Sequence, residues 1–220
     1  ELIQTESEKH AYELTKTAIA NGAEVVVAVG GDGTINEIGS ALIGSTCTLA
    51  IIPYGSGNGL ARSLKIPMNT IQAVKLINQF KTAKIDAAKL NEHYFFNMSG
   101  MGFDAHISHV FAKDKNRGLL GYVKATFSEL KNYRSKNYEI IIDGKTLKED
   151  AFILSVANSS QYGNEAHIAP RAELQDGLLD LVIVKPFPLY LMPLLALRMF
   201  LKTADQSKYF ISLQGESILI

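Results

Sequence analysis

Two glycine-rich segments carry the residues best suited to chemistry. The first, Gly30-Gly31-Asp32-Gly33-Thr34-Ile35-Asn36-Glu37, directly follows the apolar run Val25-Val26-Val27-Ala28-Val29. A glycine turn between a strand and a helix lets backbone N–H groups converge without Cβ obstruction. The helix start adds a partial positive charge, so the segment suits a phosphate. Asp32 has the wrong charge to attract phosphate itself; its carboxylate either holds an intervening cation, accepts the proton of a hydroxyl nucleophile, or caps the helix. The second segment, Pro53-Tyr54-Gly55-Ser56-Gly57-Asn58-Gly59-Leu60-Ala61-Arg62, follows another apolar run at 48–52. Both loops therefore fall at the carboxyl ends of neighbouring strands, where open α/β sheets bind ligands. On spacing alone Arg62 is either an active-site residue or a surface helix cation.

Other phosphate and nucleophile signatures are missing. Neither loop has Walker A spacing, and Gly144-Lys145-Thr146 lacks both the earlier glycine and the preceding strand, so it reads as a hairpin turn. The G-x-G-x-x-G dinucleotide spacing is absent, and neither Ser56 nor Ser99 lies in a G-x-S-x-G elbow, which weakens hydride transfer and acyl hydrolysis. A third segment, Ile168-Ala169-Pro170-Arg171-Ala172-Glu173-Leu174-Gln175-Asp176-Gly177-Leu178-Leu179-Asp180, offers hard oxygen donors in a tight turn. Magnesium accepts such a set, with one or two carboxylates joined by carbonyls and waters; the alternative is an Asp-Gly turn with Asp180 solvated. His106, His109 and His167 lack metal-ligand spacing and are left unassigned.

The elements that must position these loops follow from periodicity. Ala11, Leu14, Ala18 and Ile19 recur at helical spacing and end at Asn21-Gly22. The run at 25–29 reads as a parallel strand covered on both faces, and a helix from about Thr34 turns Ile35, Ile38, Leu42 and Ile43 toward the sheet. A second strand at 48–52, a short helix from Leu60 and a helix carrying Ile71, Val74, Leu76 and Ile77 complete an α/β layer. From about Lys84 short strands take over. Runs at 85–90 and 94–98 flank Asn91-Glu92-His93, a hairpin connection, and 140–142 meets Asp143-Gly144, a two-residue hairpin signal. Further strands are expected at 152–157 and 179–184, with helices over 105–112, 122–133 and 189–201. The chain therefore divides into an α/β domain at 1–84 and a domain dominated by antiparallel sheet at 85–220.

Composition narrows the function. A chain of 220 residues with 47% apolar and 20% charged residues builds a real core, and 22 basic against 22 acidic residues give no excess charge for a polyanion. A dedicated nucleic-acid binder is disfavoured. The single cysteine, Cys47, excludes an intrachain disulfide framework and points to a reducing, cytoplasmic compartment. The chain opens without Met or a signal-peptide pattern. The apolar, uncharged stretch 186–197 contains Pro188 and Pro193 and is too short for the roughly 20 residues of a membrane span. Leu189, Met192, Leu195, Leu197 and Phe200 make a broadly apolar helix that reads first as core, with an acyl groove or a bilayer surface as alternatives. A second amphipathic stretch, 119–130, is read the same way, as packing or as a cover over the cleft.

Gly30-Gly31-Asp32-Gly33-Thr34 with Asn36-Glu37, then Gly55-Ser56-Gly57-Asn58 with Ala61-Arg62, resemble the diacylglycerol kinase catalytic family, lipid kinases that include bacterial and sphingosine-type enzymes. Further landmarks follow in order: Thr5 with His10-Ala11, Asn97 with Gly102-Phe103-Asp104-Ala105, and the stretch from Ala157-Asn158 to Asp180. The resemblance covers nearly the whole chain. It implies a Rossmann-like α/β nucleotide-binding domain followed by a β-sandwich-like domain, in the NAD kinase/diacylglycerol kinase manner. It also implies that Gly30, Gly31, Asp32, Gly33, Thr34, Ile35 and Asn36 hold ATP phosphates, with Thr5, Gly55, Ser56, Gly57 and Asn58 as flanking contacts. Asp32 would lie near the nucleotide-bound magnesium, Glu37 would orient the loop, and Arg62 would balance phosphate charge. A structural magnesium would take the Asp176 carboxylate with oxygens of Glu173 and Leu178.

The implied activity is ATP- and magnesium-dependent transfer of the γ-phosphoryl group to a hydroxyl of diacylglycerol, phosphatidylglycerol or a sphingoid base. The alternatives are an NAD-kinase-type enzyme acting on a soluble acceptor and an idle nucleotide or lipid sensor. The partners expected are nucleotide and a lipid at a membrane surface, without nucleic acid; self-association into a homodimer is left open. Two departures from the family pattern stand out. Gly59 follows Asn58 where an acidic residue is common, and Gln214-Gly215-Glu216 replaces the late Asp-Gly-Glu that carries the family's general base, so it reads as a strand end. The strand expected ahead of Thr5 is not in the sequence, and both ends read as trimmed.

Overall fold

The computed structural model describes residues 1–103, 105–106, 129 and 133–220. The helices expected over 105–112 and 122–133, the amphipathic stretch 119–130, His109 and Asp104 lie wholly or mainly outside the described residues. The chain forms two compact units, Glu1–Asn97 with Tyr162–Glu165, and Met98–Gln161 with Ala166–Ile220.

The first unit contains α1 (His10–Ala20), β1 (Val25–Gly30), α2 (Asp32–Leu42), β2 (Thr48–Pro53), α3 (Gly59–Ser63) and α4 (Thr70–Ile77). It ends in a hairpin of β3 (Ala88–Leu90) and β4 (His93–Phe95). β1 and β2 pair in parallel from Val25↔Thr48 to Gly30↔Pro53, so the two glycine loops leave the sheet side by side. α2 packs on both strands and on α1, while α4 packs on β2. Ala28, Ile35, Ile38, Ala41 and Ile51 form the buried seam. At about 1.5–3 kcal/mol per fully buried large aliphatic side chain, this apolar burial holds the loops' bases in place.

Several expectations are corrected here. β1 is not covered on both faces among the described residues: Ala28 is buried, while Val27 and Val29, which project from the opposite face, remain 42% and 51% exposed. α2 begins at Asp32 rather than Thr34, since Gly31 takes the extended N-cap position. Ile43 caps the end of α2 and points outward, and Ile71 and Val74 of α4 are exposed while Ala73 is buried. The β3–β4 turn is only Asn91-Glu92, with Leu90 opposite His93 and Asn91 in a left-handed conformation. This hairpin belongs to the first unit, tied to α2 by the Asn36 amide, which donates to Tyr94 O at 3.1 Å.

The second unit is a β-sandwich. One antiparallel sheet has the order β10-β9-β8-β5, formed by Phe210–Gly215, Leu179–Val184, Ile153–Ala157 and Met98–Gly102. The other has the order β11-β6-β7, formed by Ile218–Leu219, Lys136–Ile142 and Lys145–Ala151. The expected Asp143-Gly144 turn joins β6 to β7, with Ile142 opposite Lys145 and both turn residues at positive φ. Alternate residues of the two sheets, Ile140, Ile142 and Ala151 against Leu154, Leu181 and Ile183, fuse into one core. A smaller aromatic cluster joins Phe103, Tyr133, Phe152 and Phe187.

α5 (Met192–Phe200) is where the core reading fails. Only Leu195 is buried; Tyr190, Leu194, Leu197, Phe200 and Leu201 are about half exposed or more. Met192 reaches the aromatic cluster, Ala196 and Met199 are half-buried, and Met199 O accepts from His167 N–H at 3.1 Å, so the helix is docked along one side only. Among the described residues, no helix is long and apolar enough to cross a membrane.

Candidate functional site

The two glycine loops meet backbone to backbone. A Cβ on Gly31 would lie 3.1 Å from Gly55 Cα, and a Cβ on Gly55 would run into Gly31 Cα and come within 2.8 Å of Asn58 Oδ1. A side chain at Gly55 is therefore incompatible with this approach, and one at Gly31 would force the loops apart by a few tenths of an ångström. Tyr54 N–H donates to Gly30 O at 2.8 Å and extends the parallel ladder into the crossing.

Asp32 bridges the loops. Its Oδ2 accepts from Gly59 N–H at 3.1 Å and its Oδ1 from Leu60 N–H at 3.2 Å. These are the first two N–H groups of α3, which have no partner within their own helix. The residue that should cap α3, Asn58, is turned back on its own loop: its Oδ1 accepts from Gly55 N–H at 2.9 Å and its Nδ2 donates to Gly55 O at 2.8 Å. Asn58 can do this because it adopts φ 52°, which asparagine tolerates. Asp32 thus does cap a helix, but the one across the crossing rather than its own. The carboxylate also lies in the first turn of α2, where the macrodipole favours a negative charge.

The first α2 bond is Ile35 N–H to Gly31 O at 3.1 Å, so the N–H groups of Asp32, Gly33 and Thr34 precede the helical ladder. Gly33 is exposed and Thr34 half-buried, whereas Ile35 is 1% exposed and belongs to the core. Thr34 packs its side chain over Gly30, where a Cβ would come within 2.8 Å. Glu37 turns away from the loop: its two carboxylate oxygens accept from Lys9 N–H at 3.0 Å and Ala11 N–H at 3.2 Å, anchoring the start of α1. Ser56 is exposed beside Gly57, and Thr5 is an exposed residue ahead of α1. Arg62 Nε donates to Gly57 O at 3.1 Å and its Nη1 pairs with Glu165 at 3.3 Å. Glu165 comes from a distant stretch that the sequence reading did not single out; Gly163-Asn164 marks a turn there, but nothing local names its partner.

The oxygen-rich turn of the second unit is compact. Asp176 Oδ1 accepts from Leu178 N–H at 3.0 Å around Gly177, which has φ 73°. Asp180 is 2% exposed, which overturns a solvated turn residue. It accepts from Gln214 Nε2 at 3.2 Å, and burial pushes its pKa upward, with the negative charges of Asp176 and Glu173 adding to that rise. Among the described residues no group of three or more His, Cys, Asp or Glu side chains is arranged to hold a metal, so an ion here depends on carbonyls beside Asp176. That donor set is all hard oxygen and fits magnesium. Gln214 and Gly215 end β10, as the strand reading expects, and the Gln214 amide serves Asp180. His167 is a core histidine against Ser160, and His106 pairs with Glu129 at 2.8 Å.

Comparison with known proteins agrees with this arrangement along the chain. Residues 1–90 match the model for the diacylglycerol kinase catalytic domain, and residues 97–204 match the YegS C-terminal NAD kinase beta sandwich-like domain. The chain belongs to the diacylglycerol kinase catalytic domain family. It is 33% identical over 179 residues to a Yersinia enterocolitica protein named "Probable lipid kinase YegS-like", covering 78% of this chain and 60% of that protein. It is 33% identical over 180 residues to a Bacillus subtilis protein named diacylglycerol kinase, covering 80% and 59%. A solved structure described as "A putative diacylglycerol kinase from Bacillus anthracis str. Sterne" superposes with a TM-score of 0.79 at 27% identity, covering 98% of this chain and 73% of that one. The chain therefore spans about three fifths of the length of these curated relatives. Within the family, its mixed α/β unit corresponds to the catalytic domain and its sandwich to the YegS-type domain.

Proposed function

We propose that this protein is part of an ATP- and magnesium-dependent lipid kinase. The observation that carries the reading is the crossing of two glycine loops at the ends of adjacent parallel strands, locked by one carboxylate, in a chain of this family. The N–H groups opening α2, with those of Ser56, Gly57 and Asn58 in the second loop, receive the nucleotide phosphates, and Thr5 and Ser56 add polar contacts. The first unit, Glu1–Asn97 with Tyr162–Glu165, would supply the nucleotide-binding part and the second unit the lipid-binding part.

Phosphoryl transfer needs positioning and charge neutralisation more than covalent chemistry from the protein. A lipid hydroxyl oxygen bonds to the γ-phosphorus as the bond to the β–γ bridging oxygen breaks, giving a lipid phosphate, ADP and a proton. When bound, magnesium neutralises charge on the phosphates. Each Asp32 oxygen accepts one N–H and keeps a further lone pair, which suits contact with the hydrated ion. Glu173, Asp176 and Leu178 would hold the structural ion.

Lipid is favoured as acceptor by the exposed apolar side of α5 and the turn before it, Tyr190, Leu194, Leu197 and Leu201, which suits contact with a bilayer surface. The free Cys47 accords with a reducing, cytoplasmic setting. The test is transfer of the γ-phosphoryl group from labelled ATP to mixed-micelle lipids by the native-length protein. Label in lipid supports the reading, and label only in a soluble acceptor would move it to the NAD-kinase type.

A further inference from the structure

We propose that Glu165 is a positioning residue of the nucleotide loop: with Arg62 it clamps the Gly57 carbonyl and sets the shape of the Gly55-Ser56-Gly57-Asn58 turn. This role rests on the kinase reading above. Tyr162–Glu165 belong to the first compact unit although Glu165 lies 103 residues beyond Arg62. This strap closes on the loop at a single carbonyl. Gly57 O accepts from Asn164 N–H at 3.2 Å and from Arg62 Nε at 3.1 Å, which uses both of its lone pairs. The same guanidinium reaches Glu165 Oε1 through Nη1 at 3.3 Å. One cation therefore joins the loop, α3 and the strap.

The strap is shaped for this contact. Gly163 has φ 125°, and a Cβ there would lie 2.8 Å from the Cα, C and O of Gly57, so only glycine lets the two backbones touch. Asn164 and Glu165 follow at φ 50° and 63°. Three consecutive residues at positive φ persist only where their surroundings over-determine them. The Asn164 and Arg62 bonds to Gly57 O, together with the Glu165 ion pair, do so here.

The consequence for binding follows from peptide geometry. The Gly57–Asn58 peptide is planar and trans, so fixing the Gly57 carbonyl aims the Asn58 N–H in the opposite direction. Asn58 is one of the residues proposed to meet phosphate. Arg62, already committed to Gly57 and Glu165, acts by holding the turn rather than as a free cation on the nucleotide. Its side chain is 25% exposed and that of Glu165 54%, so solvent screens the pair and the effect of breaking it is modest.

The test is titration of the native-length protein with ATP and magnesium by calorimetry, comparing wild type with Glu165→Ala, Glu165→Gln, Arg62→Ala and the double alanine variant. Glu165→Ala is expected to weaken ATP binding about 2–5-fold, the range for a partly screened pair. Glu165→Gln, which keeps an acceptor, recovers most of the loss. The double variant binds no more weakly than Arg62→Ala, because the clamp is already open. In turnover the change falls on KM for ATP rather than on kcat, a split that general destabilisation would not produce. Wild-type affinity in Glu165→Ala, or losses that simply add in the double variant, would overturn the clamp. Failure of the wild-type protein to bind ATP would instead overturn the kinase reading, and this role with it.

Discussion

Replacing Asp32 with asparagine isolates what its carboxylate does at the loop crossing. The carboxylate accepts two N–H groups, Gly59 through Oδ2 and Leu60 through Oδ1. An asparagine has one carbonyl oxygen, so it can serve one of them while its NH2 faces the other donor. One hydrogen bond to a charged acceptor is lost, worth about 1.5–3 kcal/mol, and Asn58 cannot substitute because its side chain is spent on Gly55. At roughly 2–4 °C per kcal/mol for a chain of this size, Asp32→Asn should lower the melting temperature by about 3–12 °C. Asp32→Ala, losing both bonds, should lower it further. The local assay is amide hydrogen exchange. Gly59 and Leu60 should exchange faster in Asp32→Asn, while the β1–β2 ladder stays protected. ATP affinity measured well below the transition then reports the effect on the loop itself. Unchanged melting and unchanged protection at Gly59 and Leu60 would refute the carboxylate's role as the α3 cap.

Two further substitutions probe the close approach and the oxygen-rich turn. Gly55→Ala places a methyl against Gly31 Cα, a backbone atom that cannot rotate aside, and should cost about 1–3 kcal/mol and at least about tenfold in ATP affinity. Gly33→Ala, with nothing within 4 Å of the new methyl, should leave stability nearly unchanged; equal melting losses in both would count against the crossing. Asp176→Asn keeps an acceptor for Leu178 N–H but removes the charge a cation needs. If an ion binds there, magnesium at about 100 times its dissociation constant should stabilise the wild type by about 2.7 kcal/mol over chelator, and Asp176→Asn should lose that increment. The same increment in both proteins would remove Asp176 from the site.

What the sequence shows well is local. The β-branched run before Gly30, the second run before Gly55 and the Asp143-Gly144 turn each declare themselves within a few residues, and the corresponding parallel pair and hairpin are present. The pairing of Asn58 with Gly55, three residues apart, is also a local signal, and it explains why Asn58 does not cap α3. The partners of Asp32 lie 27 and 28 residues away and that of Arg62 lies 103 away, so periodicity and spacing could not choose between capping, cation binding and phosphate contact. Burial misled in two places for one reason. A run such as 25–29 or a stretch such as 189–201 states that side chains are apolar, not how many neighbours they meet, and Val27, Val29, Leu197 and Phe200 are left half exposed. Asp180 shows the opposite error: its turn-like context reads as solvated, yet the sandwich buries it against Gln214.

The central claim is tested most directly by incubating the native-length protein with γ-labelled ATP, mixed micelles of diacylglycerol, phosphatidylglycerol or sphingoid base, and soluble acceptors including NAD, with magnesium or chelator. The account predicts label in a lipid, dependent on magnesium and greatly reduced in Gly55→Ala. Tight ATP binding with no label in any acceptor would contradict it and leave a nucleotide sensor built on a kinase fold.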